Sequence, residues 1–382
     1  METEKLYYKD PYIDEFEAEV TECRPRGEHF AVVLKATAFY PEGGGQPGDT
    51  GTLGDSAVLD TIEEDGQILH IVDRPLEPGS FAAAKIDFPR RFDFMQQHSG
   101  EHIVSGLVHD IYGYNNVGFH MGSDVVTIDF DGMLTEAQLQ EIEYEANRRV
   151  WNDSKIRILY PDDQELSRMA YRSKKELTGQ VRIVEIPGTD VCACCGTHVE
   201  RTGEIGIIKI LSVVNFRSGV RVEMISGRRA FDYLSKAAEQ NHRISVLTSS
   251  KPNETADAVE RIQEENYRLR GEVNRLLSES FEAEAERHAG EGTVLLFRRG
   301  YSAENVRKLA DAVMNTCEGL CAVFSDNEDG SWKYAMGMSG GDLRAFTKEM
   351  NEKLDGRGGG KPFFVQGQVN AAEEEIRYFF TK

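Results

Sequence analysis

The chain has 382 residues, 40% of them hydrophobic and 29% charged, with a formal net charge of -21. That length exceeds one ordinary domain and predicts two to four. The acidity excludes nucleic-acid binding by bulk charge, so any RNA-binding face must be a local basic patch. Six cysteines in so long a chain do not make a disulfide framework, and the cluster Cys192, Cys194 and Cys195 suits metal ligation in a reducing compartment. The start, METEKLYYKD, lacks the apolar core of a signal peptide, and no apolar run approaches the roughly 20 residues that span a bilayer. A cytoplasmic location with no membrane partner is the expectation.

Residues 1–88 read as β. Short alternating segments such as AVVLKATAFY and ILHIVD flank a Gly-rich loop, FYPEGGGQPGDTG, and predict a small β-barrel or sandwich. From residue 89 the pattern turns helical. MQQHSGEHIVSGLVHDIYG offers Met95, Ile103, Leu107 and Ile111 as a buried stripe and stops at Gly113. A second helix is expected from about Thr135 to Asn152, with Thr135 and Gln138 as a capping box. Strands DVVTIDF, IRILY, VRIVEI, IGIIKILSVV and GVRVEMIS make the segment 89–227 an α+β domain.

Residues 228–290 are helical with a break at Pro252. Val259, Ile262, Asn266, Leu269, Val273 and Leu276 have heptad spacing, mirrored about the break by Ala230, Leu234, Ala237, Asn241 and Ile244. An intramolecular helical hairpin with Asn241 facing Asn266 is therefore predicted. Residues 291–382 alternate strands (GTVLLFRR, CAVFSD, YAMGMS, IRYFFTK) with helices and carry a second Gly-rich loop, DGRGGGKPFFVQGQ, which predicts an α/β unit. Basic pairs at Arg90–Arg91, Arg148–Arg149, Lys174–Lys175, Arg228–Arg229 and Arg298–Arg299 read as solvated surface.

The chemistry lies in two short stretches. In HSGEH, His98 and His102 stand one helical turn apart on one face; in CACCGTH, Cys194 and His198 have matching spacing across a glycine turn. Together they give a ligand set that zinc accepts. Cys192 and Cys195 with His198 form a rival structural site. HSGEH also matches the inverted zinc-peptidase signature with Glu101 as base, but a thiolate where a carboxylate is required argues against that activity.

These residues resemble a known family. HxxxH, then C-x-G-T-H-V about ninety residues on, then SGVRVE, is similar to the editing domain of alanyl-tRNA synthetase. YPEGGGQPGDTG resembles the barrel beside that domain, and GRGGGKPFFVQGQ resembles the glycine-rich domain shared with DHH-type phosphoesterases. No segment resembles the aminoacylation core, so the layout is that of the long, free-standing AlaX-type alanyl-tRNA editing proteins. The resemblance implies a zinc ion on His98, His102, Cys194 and His198, with Cys195 standing where the family has glycine. It implies hydrolysis of the ester in mischarged tRNA(Ala), chiefly with serine and also with glycine. Gln46, Thr197 and Glu101 are the candidate catalytic groups; Gly44, Gly45, Asp49, Arg217, Arg221 and Lys361 are candidates for holding substrate or tRNA. A homodimer through the C-terminal domain is a further expectation. A zinc-stabilised tRNA-binding adaptor without hydrolase activity is the competing reading.

Overall fold

The computed structural model describes residues 3–173 and 180–381, so the Lys174–Lys175 pair lies outside the described residues. The chain divides into two units, Met1–Arg243 and Ile244–Lys382.

In the first unit, strands Glu15–Arg26, His29–Leu34, Gln67–Val72, Ser56–Glu64, Gly51–Leu53 and Phe81–Ile86 close, in that order, into a barrel. Phe81–Ile86 alternates strictly between exposed and buried side chains, the period of a strand with one face inward. At one wall His70 is fully buried: its Nδ1–H donates to the Val32 carbonyl at 3.0 Å, and its Nε2 accepts from the Thr37 hydroxyl at 2.8 Å. Burial disfavours the imidazolium and pushes its pKa from 6.5 down to about 4. The fold binds the neutral form, so its contribution is whole above pH 6.5 and is lost as pH falls toward 4. Unfolding titrations between those pH values are expected to show a loss of about 3 kcal/mol that His70→Gln abolishes.

The barrel leads into helix α1 (Phe88–Tyr112), capped by the Asp87 side chain and ended by Gly113 at φ 73°. Helix α2 (Glu136–Trp151) begins with the expected Thr135–Gln138 capping box. Both pack on an antiparallel sheet ordered Ile208–Phe216, Gly219–Ser226, Val126–Phe130, Asn116–Met121. A three-stranded sheet, Arg157–Leu159, Ile183–Ile186 and Asp190–Ala193, completes the unit. Met95, Ile103 and Leu107 are buried as expected, but Ile111 is exposed because the helix outruns the core in its last turn. The reading of Arg90–Arg91 as solvated is also corrected. Arg91 is 0% exposed; its Nε donates to both Asp49 carboxylate oxygens, and its other nitrogens hold the Ala38 and Pro11 carbonyls. This buried ion pair fastens the Gly-rich loop to the start of α1.

The second unit has a five-stranded sheet ordered Val294–Arg298, Leu320–Asp326, Trp332–Met338, Phe364–Val369, Gly356–Lys361. Only the first pair is parallel, joined through helix Ala303–Met314. Two expectations fail here. IRYFFTK is not a strand: helix Glu373–Phe380 forms, with three glutamates in its first turn, where a helix dipole favours negative charge. The second Gly-rich segment is not a loop either, for Gly356–Lys361 pairs with Phe364–Val369 as an edge strand. Its glycines permit contacts that side chains forbid: a Cβ on Gly358 would lie 2.4 Å from the Tyr334 hydroxyl. Two helices, Gly227–Thr248 and Thr255–Arg287, flank the break at Pro252. Among the described residues no helix is long and apolar enough to cross a membrane.

Candidate metal centre

The site is assembled on α1, where polar residues are buried on every face from Gln96 to Ser105. A helix buried all round is normally apolar, so each of these groups requires a partner. His98 and His102 project one turn apart toward the turn that follows strand Asp190–Ala193, which carries Cys194 and His198. The ligating atoms of the four side chains all lie within 4.8 Å of one another. Cys194 Sγ is 3.4 Å from His98 Nε2 and 3.5 Å from His198 Nε2. Tetrahedral zinc, with bonds of about 2.3 Å to sulfur and about 2.0 Å to nitrogen, separates such atoms by about 3.5 Å. The donor set fits that ion.

The far side of each ring supports this. His98 Nδ1–H donates to Gln46 Oε1 at 2.9 Å, His102 Nδ1–H to Asp190 Oδ2 at 2.8 Å, and His198 Nδ1 meets Ser99 Oγ at 3.1 Å. Every imidazole thus has its Nδ1 occupied and turns Nε2 to the common centre, the usual pattern when outer hydrogen bonds set a ligand's tautomer. His98 also stacks on Phe119, with ring centroids 5.2 Å apart. Arg172 grips Asp190 in turn, Nε and Nη2 each 2.8 Å from a carboxylate oxygen.

Position singles out Cys194, the thiol that shares the four-residue cluster. Burial alone would raise Cys194, but His98 and His102 beside it hold its pKa well below the ordinary value, as a ligand thiolate needs. Burial pushes the Cys192 thiol up instead, and Cys195 is exposed. His198 is driven down to about 3 by burial and by its His98 neighbour, which keeps the ring neutral and able to ligate. His102, Asp190 and Cys192 also cluster. Since Asp190 is already bound by Arg172 and His102, that group is the support of His102 rather than a second centre.

The other candidate residues fall out as follows. Gly44 and Gly45, at φ 60° and 87°, form a two-residue turn closed by reciprocal Gly43–Gln46 backbone bonds. Both central positions need positive φ, which glycine supplies. A Cβ on Gly45 would lie 2.5 Å from the Phe119 ring, so the glycine run serves close approach. The turn delivers Gln46, 0% exposed, to the centre: Oε1 accepts from His98 and from the Thr197 amide at 3.2 Å, and Nε2 donates to Thr197 Oγ1 at 2.8 Å. Asp49 is corrected from a substrate contact to the buried partner of Arg91, its Oδ2 also accepting from the Tyr40 amide. Glu101, a catalytic candidate from the sequence, lies inside α1's buried polar face. It is 1% exposed, and Oε1 accepts from Ser105 Oγ and Asn116 Nδ2, each at 2.5 Å, tying α1 to the neighbouring strand. Arg221 is bound to Asp129 and lies over Phe216, while Arg217 is exposed at the tip of the same hairpin. Lys361 is exposed at the end of the glycine-rich strand in the second unit.

Asp190, Arg172, Ser99 and Arg182 were not foreseen. A signal existed for one: Asp190 and Cys192 alternate along a strand that leads into the ligand turn, and so share a face. Nothing in the sequence marks Arg172 as the partner of Asp190.

The chain thus carries a barrel, an α+β domain with a His3Cys cluster and a glycine-rich α/β unit. Residues 181–225 match the threonyl and alanyl tRNA synthetase second additional domain, and residues 291–380 match the DHHA1 domain. Residues 4–90 match the class II (A) tRNA synthetases, a likeness not expected of this chain, and they include the barrel. The chain is 30% identical over 386 residues to alanyl-tRNA editing protein Aarsd1-A of Xenopus laevis, covering 95% of this chain and 93% of that one. It is 30% identical over 402 residues to alanyl-tRNA editing protein AlaX-L of Pyrococcus horikoshii, covering 98% and 96%. An alanine–tRNA ligase of Halorubrum lacusprofundi is 32% identical over 390 residues, 96% of this chain and 42% of the ligase. The chain belongs to the alanyl-tRNA editing protein family.

Proposed function

We propose that the protein hydrolyses the ester joining a wrong amino acid to tRNA(Ala), chiefly serine and secondarily glycine, at a zinc ion held by His98, His102, Cys194 and His198. The observation that carries this is the convergence of three anchored Nε2 atoms and one thiolate at a common centre. When bound, zinc supplies Lewis acidity at the ester. Gln46 orients His98 and fixes Thr197 by two hydrogen bonds; the Thr197 hydroxyl, accepting from Gln46, keeps its proton for a substrate oxygen. Glu101 holds the α1 scaffold rather than a proton in flight. A synthetase pocket cannot strongly exclude an added hydroxyl, whereas a hydrolytic site built to bond that hydroxyl rejects alanine strongly. Arg217 and Lys361, both exposed, are the proposed tRNA phosphate contacts; binding through them weakens as salt rises.

The test is amino-acid release from Ser-tRNA(Ala) beside Ala-tRNA(Ala), with wild type and His98→Ala. Wild type is expected to free serine and spare alanine, and His98→Ala to lose zinc and serine release together with an unchanged circular dichroism spectrum. A folded, zinc-loaded wild type that releases neither amino acid sinks the hydrolase and leaves the adaptor.

A further inference from the structure

The reacting carbonyl and the base of a terminal nucleoside are separated by one ribose. If the ester is cleaved at the His98–His198 centre, as proposed above, the base must occupy space directly beside it. A cavity of about 550 Å3 lies there. His198 belongs both to the centre and to the cavity wall, as does Arg182, which supports the ligand turn by donating Nη1 to the Cys194 and Gly196 carbonyls at 2.7 and 3.0 Å.

The rest of the wall mixes aromatic and apolar residues, Tyr8, Tyr160 and Ile158 among them, with the charged Lys9, Asp10 and Glu200. Tyr160 and Ile158 are 45% and 36% exposed, flat hydrophobic surface left toward solvent on a strongly acidic protein. The Arg182 guanidinium carbon sits 5.0 Å from the Tyr8 ring centroid, so a cation and a π-face are offered together. Arg182 is only 8% exposed, and its buried Nε has no hydrogen-bond partner. A buried charged donor left over beside an aromatic cavity is a costly arrangement for a structural role alone. A second cavity, of about 510 Å3, adjoins Asp190 behind His102. Its wall has one tyrosine, Tyr171, where the cavity beside His198 has four, and it includes none of the four cluster residues.

We propose that the cavity beside His198 is the seat of the terminal nucleoside of the acylated RNA, with its base stacked on Tyr8 and Tyr160 beside the Arg182 guanidinium. Stacking of this kind tolerates any base but requires an aromatic ring. The inference rests on the deacylase reading, and its test is independent of turnover.

The full-length, zinc-loaded protein is titrated calorimetrically with the trinucleotide CCA and the dinucleotide CC, as wild type, Tyr160→Ala and Tyr160→Phe. Tyr160 is exposed enough that neither variant threatens the fold. Wild type and Tyr160→Phe are expected to bind CCA more tightly than CC, and Tyr160→Ala to lose roughly tenfold or more for CCA with little change for CC. In deacylation of Ser-tRNA(Ala), Tyr160→Ala is expected to raise KM by a similar factor and to leave kcat near wild type. Equal affinity for CCA and CC, or CCA binding insensitive to Tyr160→Ala, overturns the proposal even if serine is released normally. Tyr160-dependent CCA binding without any serine release overturns the hydrolase instead and leaves the nucleoside seat standing.

Discussion

Replacing Asp190 by alanine is expected to destabilise the first unit by roughly 3–5 kcal/mol and to weaken metal binding by roughly 10–100-fold. The two losses have separate origins. The stability loss comes from Arg172, whose side chain is 13% exposed and whose guanidinium makes two 2.8 Å bonds to Asp190. Without the carboxylate, a largely buried charge stands uncompensated. The affinity loss comes from His102, whose Nδ1–H no longer has the acceptor that aims Nε2 at the centre. A double replacement separates them. Asp190→Leu with Arg172→Met removes both charges, so most of the stability is expected to return while metal affinity stays low. Denaturant unfolding reads the first quantity and competition with a chelator reads the second. If Asp190→Ala resists the chelator as wild type does, the Arg172–Asp190–His102 chain is no support for the centre.

The contrast between Asp190 and the four ligands shows what this sequence displays. His98 with His102, and Cys194 with His198, are legible because each pair is local: four residues apart on a helix or across a turn, where chain geometry alone brings the atoms together. The join between the pairs, and the bonds behind them, span 52 residues from Gln46 to His98 and 88 from His102 to Asp190. Contacts at such separations depend on the tertiary fold; residue chemistry can suggest that two pairs belong together, but not which side chains stand behind them. Arg91 failed for the same reason: side by side with Arg90 it looks like surface, and only Asp49 in the Gly-rich loop makes it a core residue. Helix Glu373–Phe380 was misread because short apolar runs fit both periods, and its acidic first turn was the signal to weigh. The glycine-rich strand was misread because glycine usually weakens a strand, whereas here the absence of side chains is what lets Gly358 and Gly367 pass each other and Tyr334.

Gly196→Ala is expected to cost the centre more than any exposed substitution in the ligand turn. A Cβ at that position would lie 2.1 Å from His98 Cε1, 2.4 Å from His98 Nδ1 and 3.0 Å from Gln46 Oε1. No rotamer change resolves this, because His98 is held between the Phe119 ring and Gln46, and Gln46 is held by Thr197. Either His98 leaves the cluster or the turn carrying Cys194 and His198 moves off it, and both break the ligand set. Metal affinity is expected to fall by at least the roughly 100-fold that marks the upper range for outer hydrogen bonds, since here a ligand itself is displaced. Serine release from Ser-tRNA(Ala) falls with it. Cys195→Gly, one residue away, changes an exposed side chain and is expected to leave zinc stoichiometry and serine release as they are. Chelator competition on the two variants decides which residue of the turn shapes the centre. A Gly196→Ala protein that holds zinc as firmly as wild type would mean that the packing of the turn against His98 is not what positions the ligands.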